Sequence, residues 1–89
     1  MQYVFEFDES KSRANRIKHG IDFMEAQELW LDDNLLRLCC STESERRYLF
    51  VGMIRGKHWS AIVTYRREMI RIISVRRSRV REVQAYEGP

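Results

Sequence analysis

The sequence predicts a small α+β domain: an antiparallel sheet with two N-terminal helices and one C-terminal helix. Three observations predict it. Capped helical patterns fill residues 8–31, and three runs rich in Val, Ile, Tyr and Phe follow between residues 47 and 75. An arginine cluster then leads straight into a last helical pattern. Strand runs separated only by short polar breaks read as a meander, and helices gathered at its two ends complete the class.

The elements follow in order. Tyr3 to Phe7 alternates aromatic and other residues and reads as a strand. Asp8 can cap a helix that runs through Lys18 or His19 and stops at Gly20. Asp22 and Glu25 form a capping box for a second helix, whose apolar members Phe23, Ala26, Leu29 and Trp30 recur at helical spacing. Asp32-Asp33-Asn34 ends it. Leu35 to Cys39 is a weak strand, and Ser41 to Glu45 is a polar loop. Arg47 to Ile54, His58 to Tyr65 and Met69 to Val75 are strong strands. Arg55-Gly56-Lys57 and Arg66 to Glu68 supply the turns between them. Ser78 to Glu87 reads as the closing helix, with Ser78 its cap.

The chain of 89 residues with one proline holds one small domain, 1–89, and is too short for two. A hydrophobic content of 44% excludes wholesale disorder, although so small a core gains from a partner or a second copy. The net charge of +3 hides an asymmetry. Residues 1–45 carry 5 basic and 10 acidic groups, and residues 46–89 carry 11 basic and 3 acidic groups. The basic half suits nucleic acid, with an acidic protein or lipid headgroups as competing polyanions. No signal-peptide pattern or bilayer-length apolar run occurs. Cys39 and Cys40 are adjacent, which suits neither a disulfide nor a zinc site. They read as reduced thiols of a cytoplasmic protein.

The segment from Met69 to Glu82 carries the chemistry. A stiff strand there presents fixed guanidinium groups, which fork onto phosphate oxygens. By strand parity Arg71 shares a face with Ile73, Val75 and Arg77, while Ser74 and Arg76 face the other way. In the first helix Lys11, Asn15 and Lys18 share a face, with His19 beside Asn15, and Ala14 and Ile17 point to the core. Lys18 and His19 can bind phosphate and move a proton, or they can simply favour the helix dipole. His58 reads as structural. Glu45 and Arg47 share a face as proton acceptor and anion clamp, or else form a surface pair worth about 0–1 kcal/mol. Glu82 and Tyr86 share a helix face and can close over the same pocket. No glycine-rich phosphate loop, HExxH, CxxC or nucleophile elbow is present, and the carboxylates do not cluster. No metal or other cofactor is therefore expected, and a nuclease built on these residues would be metal-independent.

Three segments together resemble a known family. Phe5-Glu6-Phe7-Asp8, Lys11, Asn15, Lys18-His19-Gly20-Ile21, Phe23 and Ala26 resemble the opening of BrnT-type toxins of bacterial toxin–antitoxin pairs. Glu45-Arg46-Arg47-Tyr48 with Gly52 resembles their middle motif. Arg71-Ile72-Ile73-Ser74-Val75-Arg76-Arg77 with Glu82 and Tyr86 resembles their closing motif. Phe7 and Val75 depart from the usual Trp and Ala, and residues 32–44 match little.

The resemblance implies a RelE-like ribonuclease fold and RNA cleavage that arrests growth. It also implies neutralisation by a cognate antitoxin, typically a DNA-binding ribbon-helix-helix protein encoded alongside. DNA would then be met only through that complex, and no membrane is involved. The catalytic candidates it carries over are Lys18, His19, Glu45, Arg47, Arg76, Arg77, Glu82 and Tyr86. Lys11, Asn15, Arg71, Arg79 and Arg81 are the RNA-binding candidates. In that scheme His19 or Glu45 is the base, Arg47, Arg76 and Arg77 hold the phosphorane, and Lys18 or Tyr86 assists the leaving group. Two other readings of the same residues are a non-catalytic nucleic-acid-binding module and an interaction domain with a basic partner-docking face.

Overall fold

Asp8 starts the first helix as its sequence position predicts. In a computed structural model, which describes residues 3–41 and 46–88, α1 runs Glu9–His19. Asp8 Oδ1 accepts the Lys11 N–H at 3.0 Å, and Gly20, at φ 82°, closes the helix by donating its N–H to the Arg16 carbonyl. The expectation that Ala14 and Ile17 face the core is overturned. Ile17 is 89% exposed, Ala14 is exposed, and the buried residues of α1 are Ser12 and Asn15.

Polar anchoring explains the inversion. Ser12 Oγ accepts the Phe23 N–H at 2.9 Å. Asn15 donates to the carbonyls of Ile21 and Val75 at 2.8 and 2.9 Å, and accepts the Val75 N–H at 3.2 Å. The helix is thus held to the sheet by hydrogen bonds where an apolar stripe would ordinarily hold it.

The second helix, α2 (Phe23–Ala26), tightens at once into a 3₁₀ stretch, Gln27–Leu31. Asp22 Oδ1 accepts the Glu25 N–H at 2.8 Å. Phe23, Ala26, Leu29 and Trp30 are all buried, as their spacing predicts.

Among the described residues five strands form one sheet: β1 (Phe5–Glu6), β2 (Leu36–Ser41), β3 (Arg46–Ile54), β4 (Lys57–Arg66) and β5 (Met69–Arg77), in the order β1-β5-β4-β3-β2. Cys39 and Cys40 fall within β2. The predicted polar loop, Ser41 to Glu45, begins on what is the last residue of β2, and its remaining positions, 42–45, fall outside the described residues. Four strands are antiparallel neighbours, but β1 pairs parallel with β5 through Phe5↔Ile70, so the sheet is mixed. This corrects the purely antiparallel expectation. Both hairpins turn through positive φ, at Arg55-Gly56 and at Arg67-Glu68, as tight two-residue turns require.

One side of the sheet packs on α1 and α2, with Phe50, Ala61, Val63, Ile70, Ile72 and Val75 in the core. A bulge in β5 decides what the other side carries. Ile62 pairs with Ser74 but Val63 pairs with Ile72, which leaves Ile73 without a partner in the register. Ile72 and Val75 are therefore both core residues. Arg71 and Arg76 consequently share the outer face, while Arg77 falls on the helix side beside Trp59. The predicted grouping of Arg71 with Arg77 is thereby corrected. One inserted residue reverses the parity.

The last helix, α3 (Val80–Glu87), lies on the outer face and begins two residues later than predicted. Ser78 does not cap it. Its hydroxyl meets Ser60 Oγ at 2.7 Å, and Glu82 reaches back to accept the Arg79 N–H at 2.8 Å. At the β3 end, Gly52 is closely packed. A Cβ there would come within 2.9 Å of Leu35 Cδ1, 3.0 Å of Leu29 Cδ2 and 3.2 Å of Asp32 Oδ2. Gly52→Ala is expected to cost about 1–3 kcal/mol in chemical denaturation, because a well-packed core yields little to added volume.

Candidate nucleic-acid interface

Four cations converge on the open end of the outer face. Lys11 from α1, Arg47 from β3, Arg66 from β4 and Arg71 from β5 line a groove of about 120 Å³ with Thr64 and Ile73. Arg71 is steadied by Glu6, Nη1 to Oε2 at 3.1 Å, and both side chains are largely buried. Thr64 donates its hydroxyl to the Arg46 carbonyl at 2.9 Å, which ties the start of β3 to β4. Glu6 pairs with Arg71, and the Asp8 carboxylate lies within the electrostatic reach of Lys11 and Arg71; the gathering of four cations suits a phosphate diester. The strands and helix supply them from rigid positions.

Toward the other end of that face, some four strand residues from Thr64 to Ser60, α3 is bound by the carboxylate of Glu82. Arg76 pairs with Glu82 through two parallel bonds of 2.8 Å, and Ser60 also donates to Glu82 at 2.8 Å. The Arg76 hydrogen bonds lead the causes that hold the Glu82 carboxyl down at about 2, and the same pair raises the Arg76 pKa. Glu82 therefore stays ionised near neutrality, and its two oxygens accept four hydrogen bonds, three of them on Oε1. Its geometry is that of a bracket for α3.

The linkage has a definite sign. A carboxyl lowered from 4.5 to about 2 contributes its full stability above pH 4.5 and loses it as pH falls toward 2. About 3 kcal/mol is the upper figure for so large a shift. Glu82→Gln is expected to remove this acid-range loss and to lower the neutral-pH unfolding midpoint, since Arg76 is left as a partly buried unpaired charge.

Tyr86 and Asp32 make a third contact. The phenol donates to Asp32 Oδ2 at 2.6 Å, and that oxygen also accepts the Met53 N–H at 2.9 Å. Burial, and then the Asp32 carboxylate, push Tyr86 up to about 12. Partial burial pushes Asp32 upward, but the bonds from Tyr86, Asn34 and Met53 outweigh it and hold the carboxyl below its usual value. His58 Nε2 lies 2.6 Å from Glu87 Oε2, with its ring edge-on to Tyr86.

The predicted site residues thus fall into separate places. Lys11, Arg47 and Arg71 meet in the groove. Arg76, Glu82 and Tyr86 bind α3 to the sheet. Arg77 donates to the His58 carbonyl at 3.1 Å, and its guanidinium lies over the Trp59 ring on the opposite side of the sheet. Lys18 and His19 sit in the last turn of α1, and Arg79 and Arg81 are exposed at the start of α3. Asn15, an RNA-binding candidate, is 8% exposed and bonded to the backbone of Ile21 and Val75, where it anchors α1 to the sheet. Glu45 lies outside the described residues. Sequence reasoning missed Arg66 and Thr64, although their even spacing with Ser60 on β4 was the available signal. It also read Asp32 only as a helix end.

Among the described residues no group of three or more His, Cys, Asp or Glu could hold a metal ion, and no helix is long and apolar enough to cross a membrane. The family model for the ribonuclease toxin BrnT of type II toxin–antitoxin systems matches residues 7–82. The chain belongs to that family. The toxin's substrate class is accordingly RNA and its partner an antitoxin. The match includes all four groove cations and the Arg76–Glu82 pair, and it ends four residues before Tyr86. No curated protein matches the chain.

Proposed function

We propose that the toxin is a metal-independent endoribonuclease that cuts at the groove lined by Lys11, Arg47, Arg66 and Arg71. The convergence of these four cations from four elements supports the reading. The 2′-hydroxyl attacks the adjacent phosphorus in line, and the dianionic phosphorane develops among the guanidinium groups of Arg47 and Arg71. Fixed cations beside developing charge need no reorganisation as the reaction proceeds. Lys11 protonates the departing 5′-oxygen, the part a positioned general acid plays. Glu45, two residues before Arg47 in the chain, takes the 2′-hydroxyl proton. The products are a 2′,3′-cyclic phosphate and a free 5′-hydroxyl.

The antitoxin in this reading is a ribbon-helix-helix protein encoded alongside, and the toxin meets DNA only through it. Both act in the cytoplasm. The test is incubation of antitoxin-free toxin with end-labelled RNA in EDTA. Cleavage leaving 2′,3′-cyclic phosphate ends is expected. Tight binding with intact RNA would replace the enzyme by a binding module, and cleavage only after a divalent ion is restored would end the metal-independent mechanism.

A further inference from the structure

The helix side of the molecule carries a second surface, of opposite character to the basic groove. Two grooves of about 490 and 480 Å³ meet there at Tyr3 and Trp30. One opens along α2 and the 3₁₀ stretch, where Met24 is 65% exposed and Leu31 is 81% exposed. The other runs past Phe50 and Tyr65 to Asp32 and Asp33. The floor is rigid, because Phe5 packs edge-on against Trp30 with ring centroids 5.0 Å apart and Trp30 packs on Phe50 at the same distance. The groove along α2 presents mainly apolar surface and the one toward Asp33 mainly polar surface, and an apolar patch bordered by polar surface is the form an interaction site takes. Preformed aromatic anchors lose little freedom when they are covered.

Charge selects the occupant. Among the lining residues the carboxylates of Glu28, Asp32 and Asp33 outnumber the one cation, Arg37, although Glu28 is paired with Arg55 at 3.0 Å and Asp32 accepts from Tyr86; Asp33 stands exposed at the edge. The acidic excess disfavours a polyanion there and matches a protein segment with apolar anchors for the α2 groove and a Lys or Arg placed toward Asp33. The family supplies a protein partner, the antitoxin. We propose that the cognate antitoxin anchors in this helix-side groove through a segment of apolar side chains flanked by basic residues. Its seat and the RNA groove then lie on opposite sides of the sheet. The inference rests on the family's antitoxin partnership and is independent of where RNA is cut.

The test titrates purified antitoxin, the product of the gene beside the toxin's own, into wild-type toxin, Leu31→Asp, Asp33→Lys and Arg47→Ala. Leu31→Asp is expected to weaken binding by about tenfold or more, the size of effect seen for a central apolar anchor. Asp33→Lys is expected to weaken it less and to flatten its salt dependence. Both are expected to cut RNA as wild type does, which also shows that they fold. Arg47→Ala is expected to keep full antitoxin affinity. Wild-type affinity in Leu31→Asp with loss of binding in Arg47→Ala would overturn the proposal and seat the antitoxin on the basic groove. Self-association of the free toxin that Leu31→Asp abolishes, with antitoxin binding intact, would assign the groove to a second copy. Failure of the wild type to bind the antitoxin at all would overturn the partnership itself, an outcome distinct from a misplaced groove.

Discussion

Arg47→Ala is expected to slow RNA cleavage by about 10²–10³-fold, the usual effect of removing one preorganised charge donor from a transition state. Arg47 is half-buried on the outer face and lines the groove with Arg66 and Arg71. Its guanidinium can fork onto two phosphate oxygens, which an ammonium cannot do. Arg47→Lys is therefore expected to recover part of the ground-state binding and little of the rate. Single-turnover cleavage at saturating enzyme separates the two effects. The salt slope of RNA binding is expected to fall by about one in Arg47→Ala, since one phosphate contact is lost.

Asn15→Ala is expected to destabilise the fold by about 2–4 kcal/mol, a large effect for a polar side chain. The Asn15 amide nitrogen serves two carbonyls and its oxygen serves one N–H, so only one orientation of the group satisfies the network. Its removal strands both backbone groups of Val75 and the Ile21 carbonyl away from water. It also releases α1, which carries Lys11 to the groove. Asn15→Asp keeps the acceptor but offers no donor, and is expected to be nearly as damaging. Urea unfolding checks the magnitude.

Local patterns in this chain were largely legible. The Asp8 cap, the Gly20 stop, the buried spacing of Phe23, Ala26, Leu29 and Trp30, and the three long strands all follow from short-range rules. What the sequence concealed is long-range or turns on a single residue. The parallel pairing of Phe5 with Ile70 joins residues 65 apart in the chain. The bulge at Ile73 has no compositional mark, yet it moves Arg76 to the face of Arg71 and leaves Arg77 on the other. The α1 pattern misled because hydrogen bonding, which leaves no hydrophobic period, decides which side faces inward. Resemblance supplied a family and a roll of charged residues. Distances divide that roll into a groove and a helix bracket.

Cleavage by Arg47→Ala and Arg77→Ala, measured beside the wild type on one labelled RNA, tests the placement of the reaction most directly. The groove account predicts that Arg47→Ala is nearly inactive while Arg77→Ala, altered on the opposite side of the sheet, cuts at close to the wild-type rate. Loss of cleavage in Arg77→Ala with its fold intact, and full activity in Arg47→Ala, would contradict it.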